Sequence, residues 1–399
     1  MPIVKRSFLV QYLSFASVGF DPKALYTQEN VRLVKYPWLL AFQISLSALL
    51  YMAIFHYVYI NSEDYTKTIN SLSLTCQGII CLTKMGIFLC KGKEFVALVT
   101  RLKEDISKAK PSDLPIFRVE NEKDVLSCSI YSMAVVSTAI WVMVEPLISM
   151  FYTHQEEGSF EYIVPHRATY FWDYHNVQGY SLVYIWDFIT TYILALGSLA
   201  IDTLFSWLVC NIVAQFRILV QQFQRAAAMT LPLANGMVAV ANAAQERAIV
   251  DCIKVHIRTL QLTYDLNRLY GGIIYVKFII SGLQIGSLAF CLSRGGQSMG
   301  KVAYQFLFLT AVAIQLMMYC YNGQRIATES LQVASEIYAA FEWSHLAKST
   351  KKLLLMPMMR SQKFCEIRGV FFTVDLSLYL WVFKTAGSLI TALKTLEDE

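Results

Sequence analysis

The sequence predicts an all-α integral membrane protein: seven transmembrane helices, the N-terminus inside, the C-terminus outside, and a helical cytoplasmic anchor. Three observations predict it. Of 399 residues 56% are hydrophobic and only 16% charged, and the charges gather between apolar runs, whereas a soluble chain would scatter them at helix or strand period. Seven of those runs reach the roughly 20 residues needed to cross a bilayer. Lysine and arginine, finally, concentrate on alternate connections between the runs.

In chain order the spans are 37–60, 69–90, 128–151, 181–213, 271–292, 301–321 and 370–396. Lys84, Glu145, Asp187, Asp202 and Asp375 interrupt them, and a charge in hydrocarbon needs a partner, a proton or water. An eighth uncharged window, 226–244, is alanine-rich and holds Pro232, Asn235, Gly236 and Asn242. Its insertion would be weakly driven, so it reads as a cytoplasmic loop. The organisation is a cytoplasmic N-terminal segment (1–36), helices 1–6 with their loops (37–321), a cytoplasmic helical anchor (322–369) and a seventh helix with an anchor part and a pore-lining part (370–399). Amphipathic spacing over 247–270 (Ile249, Ile253, Ile257, Leu260) and 324–346 (Ile326, Leu331, Val333, Ile337, Phe341) predicts helices beyond the spans that need an apolar partner.

Basic residues number 26 in the N-terminal tail and the segments after spans 2, 4 and 6, against 4 in the alternate connections. Basic loops stay in the cytoplasm, so the N-terminus lies inside and, after seven crossings, the C-terminus outside. That is the reverse of a G-protein-coupled receptor, and neither an Asp/Glu-Arg-Tyr triplet nor Asn-Pro-x-x-Tyr is present. All nine cysteines fall in spans or cytoplasmic segments, which leaves no extracellular disulfide framework. No phosphate loop, Cys-x-x-Cys, His-Glu-x-x-His or nucleophile elbow is found, so an enzyme has no support, and neither cofactor nor nucleic acid is implied. A transporter would show repeated, Gly/Pro-broken halves.

The last 75 or so residues carry a resemblance. Ser330, Val333, Ala334, Ile337, Tyr338, Trp343 and Pro357, then Phe371-Phe372-Thr373-Val374-Asp375-Leu376 and Phe383-Lys384-Thr385-Ala386-Gly387-Ser388, look like the C-terminal signature of the insect odorant receptors. Val18-Gly19-Phe20-Asp21-Pro22 looks like that family's N-terminal turn. After the Lys-Thr-Ala element this chain reads Ser388-Leu389-Ile390 where the family commonly has Ser-Tyr-Phe. Only 57 residues, 214–270, precede span 5, whereas the co-receptor has a large insertion there, so the chain resembles an odour-tuned subunit.

The resemblance implies an odorant-gated, non-selective cation channel subunit. It would open a pore with a co-receptor, in a tetramer, at the plasma membrane of olfactory sensory neurons. Its partners would be that co-receptor, a small volatile ligand, lipid and permeant cations. It also implies that the last span lines the pore. There Leu389, Ala392, Thr395 and Leu396 share one helical face, apolar with a single hydroxyl, which suits a hydrophobic gate. A gustatory-type channel and a metabotropic chemoreceptor are the alternatives.

A ligand entering from outside would meet the outer halves of spans 2, 3, 4 and 6. These hold Leu72 and Thr75; Trp141, Val144, Glu145 and Ile148; Tyr184, Phe188 and Tyr192; and Tyr304 and Phe308. Tyr184, Phe188 and Tyr192 recur every fourth residue and form an aromatic stripe suited to a small, apolar ligand, though such a stripe is also ordinary packing. Glu145-Pro146 either shapes the pocket floor or bends the helix into the outer loop. That loop holds His154, His166 and His175 with Glu156, Glu157 and Glu161, without a metal-ligand spacing, and reads as a solvated lid.

Overall fold

The computed structural model of the chain describes residues 9–17, 19, 21, 37–62, 65–157, 162–230, 238–294 and 298–398. Among them stand ten α-helices: α1 (Leu9–Ser17), α2 (Pro37–Ile60), α3 (Tyr65–Cys90), α4 (Gly92–Ser107), α5 (Leu114–Glu157), α6 (Val177–Ala227), α7 (Val238–Ser293), α8 (Met299–Ala340), α9 (Lys348–Gln362) and α10 (Leu376–Asp398). The described residues contain no strand, only an isolated bridge between Arg368 and Thr373. Seven helices, α2, α3, α5, α6, α7, α8 and α10, are long and apolar enough to cross a membrane. The fold is therefore the all-helical, seven-span membrane protein that the hydropathy pattern predicts.

Four of the seven overrun the bilayer. The 51 residues of α6 and 56 of α7 would extend roughly 75–85 Å at 1.5 Å per residue, against a hydrocarbon core of about 30 Å. Hydropathy registers only the apolar part of such a helix, so the spans read from the sequence are shorter than the helices that contain them. The overhangs join α4 and α9 in a helical bundle at one end. There Glu120 of α5 binds Arg217 of α6 at 2.5 Å and Arg325 of α8, and Arg217 reaches Glu329. Arg258 of α7 meets Asp105 of α4 at 2.5 Å. The amphipathic stretch 247–270 lies within α7. That at 324–346 is helical only to Ala340, after which Phe341 adopts an extended backbone.

The spine is α6, buried almost throughout, including both faces between Gly197 and Phe216. A helix apolar on every side belongs inside a larger assembly, and α1, α3, α5, α7 and α8 all pack on it. From α1, Phe15 packs against Phe88 with ring centroids 5.3 Å apart and planes tilted by 32°. The Val18–Pro22 turn is described only at Gly19 and Asp21; Gly19 has φ 84°, the left-handed region that glycine adopts freely. At Pro146 the helix does not end: α5 continues to Glu157.

The seventh span begins later than its hydropathy suggests. Residues 370–375 run outside the helix, with the Val374 amide donating to the Ile367 carbonyl at 2.8 Å, and Asp375 caps α10 by accepting from the Leu378 amide at 2.8 Å. Gly323 of α8 admits this segment, because a Cβ there would collide with the Val374 carbonyl oxygen. The protein buries little of α10, which packs on α7 and α8 and leaves most of its surface outward.

Candidate functional site

Between α2, α3, α5, α6 and α8 lies a cavity of about 100 Å³. Leu50 and Tyr51 enter from α2, Leu74, Gln77 and Cys81 from α3, and Tyr131, Val135, Thr138, Ala139 and Val142 from α5. Across it stand Thr190, Thr191, Leu194 and Ala195 of α6, and Tyr304, Phe308, Ala311, Val312 and Gln315 of α8. Gly78 lets the Tyr51 ring lie against α3, since any Cβ would overlap it. The walls are mostly apolar, with Tyr51, Gln77 and Thr138 among them, and further polar groups gather at the two ends.

At one end is a buried ionic network. Lys84 of α3 and Asp202 of α6, both fully buried, pair at 2.8 Å. Lys84 also donates to Ser198 Oγ at 2.9 Å. The hydroxyls of Tyr131 and Tyr319 donate to Asp202 at 2.7 and 2.6 Å. Gln315 donates to Tyr131 Oη at 2.8 Å and to Asp202, while its carbonyl oxygen accepts from Lys277 of α7. Two intrusive charges, Lys84 and Asp202, thus neutralise one another beneath the cavity, with enough hydrogen bonds to offset the cost of burying them.

At the other end the loop before α6 supplies a roof. His166 is buried; its amide donates to Asp187 Oδ2 at 3.3 Å and its Nε2 lies 2.9 Å from Thr191 Oγ1. Tyr170 Oη lies 2.8 Å from both the same Asp187 oxygen and the His166 carbonyl, with one hydroxyl proton between the two acceptors. Burial pushes the His166 imidazole down to about 4, because a dry site disfavours the charged ring. Beyond it opens a second space of about 440 Å³, which shares Leu74, His166 and Tyr304 with the first and adds Glu145, Arg167 and Lys301. The loop is therefore, at His166, a structural roof and not only a solvated lid. No group of three or more potential metal ligands gathers among the described residues; the side chains of His154, Glu156, Glu157 and Glu161 lie outside them.

The residues proposed from sequence take several places. Tyr304 and Phe308 line the cavity with ring centroids 5.8 Å apart, and Glu145 lines the outer space. Trp141 donates to the Gly300 carbonyl at 2.9 Å, closing α5 against α8, and Tyr184 donates to the Met143 carbonyl. Thr75 spends its hydroxyl on the Ser71 carbonyl at 2.9 Å, and neither it nor Leu72 reaches the cavity wall. Val144, Ile148, Phe188 and Tyr192 are exposed on the outside of the bundle. The cavity-facing residues of α6 are centred roughly a quarter turn from the aromatic stripe, at about 100° per residue. A lipid-facing surface is as apolar as a pocket wall, so aromatic periodicity cannot separate the two. Gln77, Tyr131, Thr190 and Gln315 were the legible signal: polar side chains within apolar runs.

On α10, Leu389 is half-buried against Gly286 of α7, while Ala392 and Thr395 are exposed. The side chain of Leu396 lies outside the described residues. Ser388 and Thr391 join the exposed face, their hydroxyls donating to backbone carbonyls one turn earlier at 3.2 Å.

The comparisons with known proteins agree with this architecture. The fold is similar to that of the insect olfactory receptor OR5 from Machilis hrabei, solved in complex with eugenol, with a TM-score of 0.79 over 98% of this chain and 97% of that one at 14% identity. Among sequences, Drosophila melanogaster odorant receptor 45a is 28% identical over 98% of both chains, and odorant receptor 9a is 24% identical over 98% of this chain and 96% of its own length. A family profile described as "7tm Odorant receptor" matches residues 64–387. With that match spanning most of its length, the chain belongs to the insect odorant receptor family: it is a multi-pass membrane receptor and not an enzyme.

Proposed function

We propose that the chain is the odour-binding subunit of a ligand-gated, non-selective cation channel, with the cavity roofed by His166 as its odorant site. The observation that carries this reading is the position of the cavity. It opens toward the outer loop at one end and rests on the Lys84–Asp202 network at the other, and through Gln315 that network holds Lys277 of α7, the helix on which α10 packs. A ligand that displaces Tyr131 or Gln315 thereby acts on the helix that supports α10. The outward face of α10, which carries Ala392 and Thr395, then faces equivalent helices around a pore, with Leu389 at its α7 side and Leu396 one turn beyond Ala392 as further constriction candidates. The charge bias orients the N-terminus inward, which puts the cavity on the extracellular side. The partner is a co-receptor in a tetramer, and the location is the plasma membrane of olfactory sensory neurons.

At about 100 Å³ the cavity is smaller than the roughly 150 Å³ dry cavity that holds benzene, so its ligand is a small molecule that fills it or slightly widens it. The test is Ala311→Phe, which fills the cavity from α8. Expressed with a co-receptor and matched for surface abundance, the variant is expected to lose at least about tenfold in sensitivity to every activating volatile, measured as whole-cell current. Unchanged concentration–response curves would place the ligand elsewhere.

A further inference from the structure

The polar groups at the roof are not all partnered. Among the described residues, His166 Nδ1 and Thr190 Oγ1 have no hydrogen-bond partner although both are sealed from solvent, and both residues stand in the cavity wall. His166 is 4% exposed and Thr190 0%. An unmet donor or acceptor in such a place costs about 1–3 kcal/mol, a cost that a bound molecule with the matching group removes.

The neighbouring bonds fix which match is needed. Thr191 Oγ1 touches His166 Nε2 at 2.9 Å. Other span threonines, such as Thr138, donate to the carbonyl four residues back; Thr191 makes no such bond. A neutral imidazole has one N–H. If Nε2 carried it, the Thr191 proton and the Nδ1 lone pair would both be unmet. If Thr191 donates to Nε2, its proton is satisfied and the imidazole proton sits on Nδ1. The second arrangement leaves fewer groups unmet. His166 Nδ1–H and the Thr190 hydroxyl are then two unmet donors in a mostly apolar wall.

We infer that His166 and Thr190 select ligands by a hydrogen-bond acceptor oxygen, so that the cavity takes small ketones and esters in preference to hydrocarbons of equal volume. This rests on the cavity being the ligand site. The roof is stiff enough to discriminate, because the Asp187 carboxylate and Tyr170 hydroxyl hold the His166 backbone from both sides.

Thermal stabilisation of the purified full-length chain in lipid nanodiscs reads binding without requiring a channel. The probes are 2-pentanone, ethyl acetate and the volume-matched hydrocarbon 2-methyl-1-pentene. The ketone and ester are expected to stabilise the wild type at about tenfold lower concentration than the hydrocarbon, the worth of one good hydrogen bond. Thr190→Val and His166→Phe should erase most of that ratio, and Thr190→Ser should keep it. Equal potencies in the wild type, no stabilisation by any probe, or a ratio that survives both Thr190→Val and His166→Phe would overturn the inference. Ala311→Phe separates the two failures. If it abolishes all stabilisation while the ratio is absent, only acceptor selection is wrong; if it leaves stabilisation intact, the cavity is not the site and both readings fall.

Discussion

Asp202 receives five hydrogen-bonding or ionic contacts, from Lys84, Ser198, Tyr131, Gln315 and Tyr319. Removing one partner of a buried pair leaves an uncompensated charge, usually at a cost of about 3–5 kcal/mol. Lys84→Met is therefore expected to lower the melting temperature sharply, and Lys84→Met with Asp202→Asn to recover part of the loss, since a neutral amide still meets the tyrosine hydroxyls. A double variant no better than the single one would contradict the pairing. At the roof, His166 titrates in the unfolded chain near 6.5 but in the fold only at about 4. The fold holds the neutral ring, so its contribution is complete above pH 6.5 and is lost as the pH falls toward 4. Asp187 and Tyr170 face it from their own segments and remain in His166→Asn. Between pH 7 and 4.5 the wild type should lose more melting temperature than that variant; equal losses would show that His166 is not buried as described. The sequence marks Lys84, Asp187 and Asp202 as anomalies in apolar runs. It cannot pair them, because Lys84 and Asp202 are 118 positions apart and only helix packing brings them together.

The helices were legible wherever apolar length decides: six of the seven spans fall wholly inside helices, and the seventh does so from Leu376 on. Their ends were not, because α5, α6, α7 and α8 continue as amphipathic helices after hydropathy fades, and because Asp375 starts α10 by capping it rather than by a change in polarity. Helical phase was the least legible quantity: the stripe on α6 and the cavity face lie on different sides of one cylinder, both apolar. Close contacts between elements can be tested through glycines. A Cβ at Gly323 would strike the backbone carbonyl of Val374, whereas one at Gly286 would meet the flexible end of Leu389. Gly323→Ala is accordingly expected to cost on the order of 1–3 kcal/mol, the usual cost of overpacking, and Gly286→Ala much less, in melting curves of the two variants. Equal effects would mean that the 367–375 segment is not seated against α8.

At the scale of the whole molecule, a spine helix is buried on all sides, a cavity sits between a polar roof and an ionic floor, and α10 is the least covered of the seven spans, followed by α5 and α2. In the proposed assembly that open surface of α10 would meet its equivalents around a pore. The proposed orientation of the whole rests on the charge ratio across the connections. The central claim is that odour opens this assembly directly. The measurement is whole-cell current from cells expressing the chain with and without an insect co-receptor, exposed to a volatile panel while G-protein signalling is blocked. The account predicts a rapid cation current that requires co-expression and survives the block; current abolished by the block would contradict it.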